Sequence, residues 1–311
     1  MSTTTKNGVP ASDPSWLSSL HPTTASHIRR LLLLPSAPPL DHVPKRKQAA
    51  VAAILYESTT TSSSTPQIRV IMSTRALHLR SHPGQASLPG GKVDSTDSSV
   101  VTTALRESIE EISLPPDSVV HLHTGYPYLS KMGLLVHPVI FFLPNAASTI
   151  AKLRPNPSEV ADIWSTPLSS FLSSTAPREE TLSDPASVDK HRPPQHAFRT
   201  YTDIPWLGGE YRLHRFRSSR QLIKGLTADV LIGVAQKTFG QKARFKVEAP
   251  GQKSWKEMVE LVVERYIETR VEGRWGDGES GDAQGSSEKF RTELGVDEEE
   301  MVEQMEQDVS V

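Results

Sequence analysis

The chain is 311 residues long with 34 basic and 36 acidic side chains, a formal charge of −2; that length suits one large domain with extensions or two domains, and the charge balance excludes a strongly basic nucleic-acid binder. It has no cysteine, so disulfides, thiolate nucleophiles and Cys-ligated metals are excluded and a reducing interior is implied. The most apolar run, Met132 to Pro144, contains His137 and Pro138 and is shorter than the ~20 residues of a membrane span, so a soluble intracellular protein without a membrane span is expected.

Residues 1–44 read as an N-terminal extension, partly disordered, because its Ser/Thr/Pro-rich opening offers little apolar surface. Within it, Ser26 to Leu34 (SHIRRLLLL) predicts a short helix closed by Pro35. Lys6, Arg29 and Arg30, with no acid before Asp13, suit a mitochondrial presequence, but Asp13 and Pro14 interrupt any amphipathic helix there, so a disordered tail is the favoured reading. Residues 45–245 read as the main domain. KQAAVAAILYE predicts a buried strand and Ile68 to Arg75 its partner, separated by a Thr/Ser-rich insertion from Ser58 to Pro66.

The stretch from Arg75 to Leu114 carries the chemistry. Val101, Ala104, Leu105, Ser108 and Ile112 recur at steps of three and four, which predicts a helix with one mostly apolar stripe. Asp97 or Ser98 is the expected N-cap, and Pro115 and Pro116 end the helix. Beside the stripe, Glu107, Glu110 and Glu111 share a second face, with Arg106 four residues before Glu110. Three carboxylates on one face repel unless a cation joins them, and oxygen-only donors suit Mg²⁺ or Mn²⁺ better than zinc. Upstream, SLPGGKV supplies a Pro-Gly-Gly turn that lets backbone come close to whatever the carboxylates hold. Arg75, His78, Arg80, His82 and Lys92 add cationic donors for phosphate.

Further along, Ser118 to Leu129 and Gly133 to Pro144 predict strands, in which His121, His123 and His137 alternate with apolar residues as solvent-facing positions do. Asn156 to Leu172 predicts a strand running into a short helix, with Glu159 at its start either a metal-side or base residue or, the favoured reading, an ordinary acidic group. Ser173 to Thr202 reads as a long loop. Tyr211 to Ser218 predicts a strand, and LIKGLTADVLIGVAQKTFG a helix capped by Thr227, with Asp229 near its positive end and Val230, Leu231, Val234 and Ala235 as its core face. Residues 246–311 read as a C-terminal helix and an acidic disordered tail. Ser254 to Arg270 predicts an amphipathic helix docked on the domain or on a partner subunit, which leaves a homodimer open, and the tail runs from Gly276. The chain ends Val309-Ser310-Val311, not in a Ser-Lys-Leu address, so peroxisome, mitochondrion and cytoplasm stay open.

The Pro-Gly-Gly turn and RESIEE together resemble the Nudix signature, with Gly91, Asp97, Arg106, Glu107, Glu110 and Glu111 at its positions. Asp97 replaces the usual Glu with one added residue before Arg106, Ser108 stands at an aliphatic position and Ser113 replaces the closing Gly. IMSTRALHLRSHPGQASLPGG is further similar to the pattern of the coenzyme A diphosphatase branch: Arg75, Arg80 five positions on, Gly84, then an apolar residue and Pro-Gly-Gly. The likeness extends from Lys45 to Gly240 through the Asn-Pro-x-Glu-Val and Gly-Leu-Thr-Ala segments, with Lys224 where an aromatic is commoner. It implies an α/β (α+β) Nudix fold, a mixed β-sheet sandwiched between helices. It implies a Mg²⁺ or Mn²⁺ site of Glu107, Glu110, Glu111 and the Gly91 carbonyl, oriented by Arg106, with Arg75, Arg80, Gly84, Gly90, Gly91 and Lys92 at the substrate. The implied reaction splits coenzyme A or acyl-coenzyme A into 3′,5′-ADP and (acyl-)4′-phosphopantetheine. The alternatives are another substrate, such as ADP-ribose or NADH, or a non-catalytic binding module of the same fold.

Overall fold

The computed structural model describes residues 14–58, 66–178, 180–183 and 197–271. The presequence question, most of the Ser58 to Pro66 insertion and the tail from Gly276 lie outside those residues. Among them no helix is long and apolar enough to cross a membrane.

Helix α1 (Pro22–Leu33) precedes a mixed sheet built on strand β1 (Gln48–Ser58). β1 pairs antiparallel with β2 (Gln67–Arg75), against whose end β3 (Ala86–Ser87) folds back antiparallel, and near its own start with β4 (Gly90–Lys92). After helix α2 (Val100–Ile112) come β5 (Val120–Thr124), β6 (Tyr128–Leu129) and β7 (Leu135–Phe142). β7 runs parallel to β1 over eight residue pairs, and both β5 and β6 pair antiparallel with it. A short helix α3 (Ala146–Ile150) leads to β8 (Val160–Pro167), which joins β2. The order β3-β2-β1-β7-β5 therefore leaves β1 and β7 in the middle.

That position explains their sequences. A central parallel pair is covered on both faces, so its strands are continuously apolar instead of alternating, and all eight residues of β7 are buried. On one face Ala50, Ala52, Ile54, Val139 and Phe141 pack with Ala104 and Ile112 of α2. On the other, Ala53, Leu55, Ile140 and Phe142 pack with Ile28 and Leu31 of α1 and with Leu231 and Val234 of helix α4 (Gly225–Phe239). Each buried side chain of Leu, Ile or Phe size contributes roughly 1.5–3 kcal/mol. The sheet is thus sandwiched between helices, as expected from the sequence.

The same coverage corrects the reading of the histidines. His123 and His137 are buried; their alternation with apolar neighbours marks two covered faces, and Gln48 Oε1 meets His137 Nε2 at 3.1 Å. α1 starts four residues before Ser26, with Pro22 at its first position. The loop expected up to Thr202 ends earlier, because Arg199–Trp206 forms β9, paired in full register with β10 (Gly209–Phe216) and followed by β11 (Ile223–Lys224); residues 184–196 lie outside the described set. α4 begins at Gly225, so Thr227 lies inside its first turn and caps nothing, and no side chain caps at Lys224. Asp229 is buried and accepts a hydrogen bond from the Tyr211 hydroxyl. Helix α5 (Trp255–Val271) opens with a reciprocal cap between Ser254 and Glu257. It docks Met258, Val259, Val262 and Tyr266 against Leu129 and Leu135.

Candidate active site

β4 and α2 form one unit. Gly90 has φ of 156°, a conformation open to glycine, and a Cβ there would strike the Ala50 carbonyl. A Cβ at Gly91 would run into the Glu107 carboxylate. The two glycines therefore let β4 lie flat between β1 and the acidic face of α2, and the Gly90 amide donates to Glu111 Oε2 at 3.4 Å.

Arg106 organises the face. Its Nε and Nη2 donate to the two carboxylate oxygens of Asp97 at 3.1 and 3.0 Å, its Nη1 to Glu107 Oε1 at 2.9 Å and Glu110 Oε2 at 3.1 Å, and its Nη2 also to the Lys92 carbonyl at 3.1 Å. This bidentate pairing is the geometry a guanidinium fork favours. Asp97, buried and also bonded by the Asp94 amide and the Thr103 hydroxyl, is held down to about 2, chiefly by the bond from Arg106. It neither caps α2 nor joins the glutamates; it anchors the arginine. The cap is Ser99, whose hydroxyl accepts from the Thr102 amide at 3.2 Å. Ser108, at the aliphatic position, returns its hydroxyl to the Ala104 carbonyl at 2.7 Å and is fully buried.

The three glutamates differ in exposure: Glu110 side chain 51%, Glu107 13% and Glu111 residue 5%. Burial pushes Glu111 up to about 8, with the Glu107 charge adding to it, then that of Glu159. Burial also raises Glu107, against the pull of Arg106. Glu159, for which the sequence favours an ordinary strand-start acid over a metal-side or base residue, is one of the charges acting on Glu107 and Glu111. It reaches the site because its turn is pinned on two sides: Asn156 N donates to the Glu111 carbonyl (2.9 Å), and the Glu159 carbonyl accepts from Ala76 N (2.8 Å). The Asn-Pro turn was the available signal, but nothing in it named the helix end it hooks.

Arg75, at the end of β2, acts on Glu111 electrostatically and closes its own loop by donating from Nε to the Ser81 carbonyl at 3.2 Å. Gly84, buried with φ of 68°, donates its amide back to the Arg75 carbonyl at 3.1 Å. Arg80 is exposed on that loop, and no hydrogen bond or ion pair among the described residues joins it to the glutamates. Lys92 is exposed and contributes its carbonyl to Arg106. A partly open hollow of about 110 Å³ lined by Tyr128, Ile140, Val234 and Trp255 lies on the α4 face of the sheet and contains none of these groups.

Among the described residues no three His, Asp or Glu side chains stand in ready-made metal geometry, since Arg106 spans Glu107 and Glu110. The donor set nonetheless fits a hard divalent cation: every donor is oxygen, and Glu107 and Glu111, both raised by burial, are carboxyls whose ionisation such an ion would favour.

A mixed sheet between helices, with a double glycine set against an arginine-braced row of glutamates, defines the class of Nudix phosphohydrolases. A family model described as the NUDIX domain matches residues 46–185. The chain is 34% identical over 171 residues to the "Uncharacterized Nudix hydrolase NudL" of Photorhabdus laumondii, covering 55% of this chain and 78% of that one. It is 33% identical over 224 residues to "Nudix hydrolase 15, mitochondrial" of Arabidopsis thaliana, covering 69% and 68%. The chain belongs to the Nudix hydrolase family and is a hydrolase of pyrophosphate bonds.

Proposed function

We propose that the protein hydrolyses the diphosphate bond of coenzyme A and acyl-coenzyme A, giving 3′,5′-ADP and 4′-phosphopantetheine or its acylated form. The observation that carries this is Arg75, first residue of the coenzyme A-type pattern, whose charge acts on Glu111 from the base of a cationic loop. Glu107, Glu110, Glu111 and the Gly91 carbonyl would hold Mg²⁺ or Mn²⁺. When bound, such an ion neutralises charge on the phosphate oxygens and lowers the pKa of a bound water. Arg106 orients the glutamates, Gly90 and Gly91 leave room for the diphosphate beside them, and Gly84 closes the loop that carries Arg75 and Arg80 to the phosphates with Lys92 alongside. Glu159 is a further carboxylate within electrostatic reach of the reacting region.

The test is to incubate the full chain with Mg²⁺ and coenzyme A, ADP-ribose or NADH and to resolve the nucleotides released. Release of 3′,5′-ADP from coenzyme A, faster than AMP from the other two, is expected. Faster turnover of ADP-ribose overturns the substrate assignment, and no turnover of any substrate favours a binding module.

A further inference from the structure

We propose that Lys224, Lys131 and Arg75 form, around His82, a subsite for a phosphomonoester, set apart from the diphosphate beside Glu107 and Glu111. The proposal rests on the coenzyme A reading for the identity of that group, the 3′-phosphate.

The loop after β2 and strand β11 meet at this point, and the turn between β6 and β7 brings a third positive charge within electrostatic reach. The loop from Ala76 to Gln85 is clasped at its neck, the Arg75 amide donating to the Gln85 carbonyl at 3.0 Å and the Gly84 amide to the Arg75 carbonyl. His82 stands in it with φ of 54°, a left-handed backbone that an L side chain adopts at a cost and that the surrounding loop must hold. β11 packs against β3, the strand that follows this loop. It carries Lys224, in register with Arg215 of β10. Lys131 comes from the tight turn between β6 and β7, closed by the Gly133 amide on the Ser130 carbonyl at 2.9 Å.

Desolvation holds the His82 imidazole below its ordinary value, and the positive charges of Arg75, Lys224 and Lys131 add to it, against a bond from Gln85. The charge of Arg75 acts on both Glu111 and His82. One cation within reach of both groups suits two phosphates carried on the same nucleotide. A phosphomonoester carries about −1.5 to −2 charges, which compact ammonium groups and a guanidinium fork match.

Two measurements test this. In kinetics, the ratio of kcat/KM for coenzyme A to that for dephospho-coenzyme A is expected to fall about tenfold in Lys224→Gln, in line with the loss of one charge-assisted contact. It falls less in Lys131→Gln and recovers in Lys224→Arg. An unchanged ratio in Lys224→Gln overturns the subsite. In calorimetry on the unaltered chain, 3′,5′-ADP binds more tightly than 5′-AMP, and Lys224→Gln removes the difference while circular dichroism reports the native fold. Equal affinity for the two nucleotides overturns the subsite even if coenzyme A is turned over. Conversely, a preference for 3′,5′-ADP in a protein that leaves coenzyme A intact sustains the subsite and sinks the substrate reading.

Discussion

Two carboxylic acids on opposite faces of the sheet, Glu111 on α2 and Asp229 on α4, are both pushed up to about 8 by burial. Their company differs. Asp229 is enclosed in the core with the Tyr211 hydroxyl as donor, beside the packed rings of Tyr211, Trp206 and Trp255. Glu111 has two further carboxylates acting on it, the amide of Gly90 as donor and the charge of Arg75 within reach. A raised carboxyl is therefore no mark of an active site by itself. Asp229, sealed in the core with a neutral donor and with Glu248 also acting on it, is satisfied by keeping its proton, whereas Glu111, crowded by Glu107 and Glu159 beside a glycine backbone, is poised for a cation.

The largest effect that separates the two is on turnover. Glu111→Gln, which keeps the shape and removes the charge, is expected to lower kcat by at least about a hundredfold, the scale of losing one dominant electrostatic contribution. Asp229→Asn leaves kcat near that of the unaltered protein. Near-normal activity in the first variant, or collapse in the second at unchanged fold, would break the contrast. The same pair differs in response to magnesium: an ion bound only by the native state stabilises it by about 2.7 kcal/mol at a hundred times its Kd. Thermal melts should show this rise in Asp229→Asn and not in Glu111→Gln.

Next in size is the pH dependence of stability. The folded Asp229 carboxyl holds its proton up to about 8 whereas the unfolded one releases it near the ordinary 3.8. Its contribution is present in acid and is lost as pH rises toward about 8, on the order of 5 kcal/mol at most. His137 and His214 work in the opposite sense. Burial lowers each to about 4, so the unfolded chain takes up protons first and stability is lost as pH falls from about 6.5 to about 4. The geometry of His214 agrees, since Arg199 Nη2 donates to its Nδ1 at 2.9 Å and the Val247 carbonyl accepts from its Nε2 at 2.8 Å. Only the neutral ring meets both. Between pH 6.5 and 8 the histidines contribute equally to both proteins, and Asp229→Asn should show a shallower decline in urea midpoint than the unaltered chain. Parallel curves over that range would reject the assignment to Asp229.

How far these features were legible in the sequence follows from their range. The acidic face of α2 and the glycines of β4 were readable because helix period and glycine conformation are local, and so was the strand character of β1 and β2. The partners of Arg106 were readable only in part. Glu110 lies one turn away, but Asp97 is nine residues back across a loop that Lys45 fixes by donating to the Ser95 and Asp97 carbonyls. The cap of α2 was missed by one or two residues because Asp97 and Ser99 are equally good capping types, and only the loop's path decides between them. Glu159 and the buried histidines depend on which strands become neighbours, and no spacing within one segment carries that.

The smallest effect concerns Ser113, where the departure from the family pattern was readable as a cost. Its backbone sits at φ 55° and ψ 38°, the left-handed residue that ends α2, with its amide returning to the Ile109 carbonyl and that of Leu114 to the Ser108 carbonyl. A side chain in that conformation costs about 1 kcal/mol relative to glycine, and part of the gain from removing it is offset by the greater freedom of glycine in the unfolded chain. Ser113→Gly is therefore expected to raise stability by about 0.5 kcal/mol. Because the residue closes the helix two positions beyond Glu111 without touching the carboxylates, kcat should not follow. A rise in urea midpoint with unchanged turnover separates the ending of the helix from the chemistry on its face, whereas a parallel change in turnover would show that the frame of α2 and the setting of Glu111 move together.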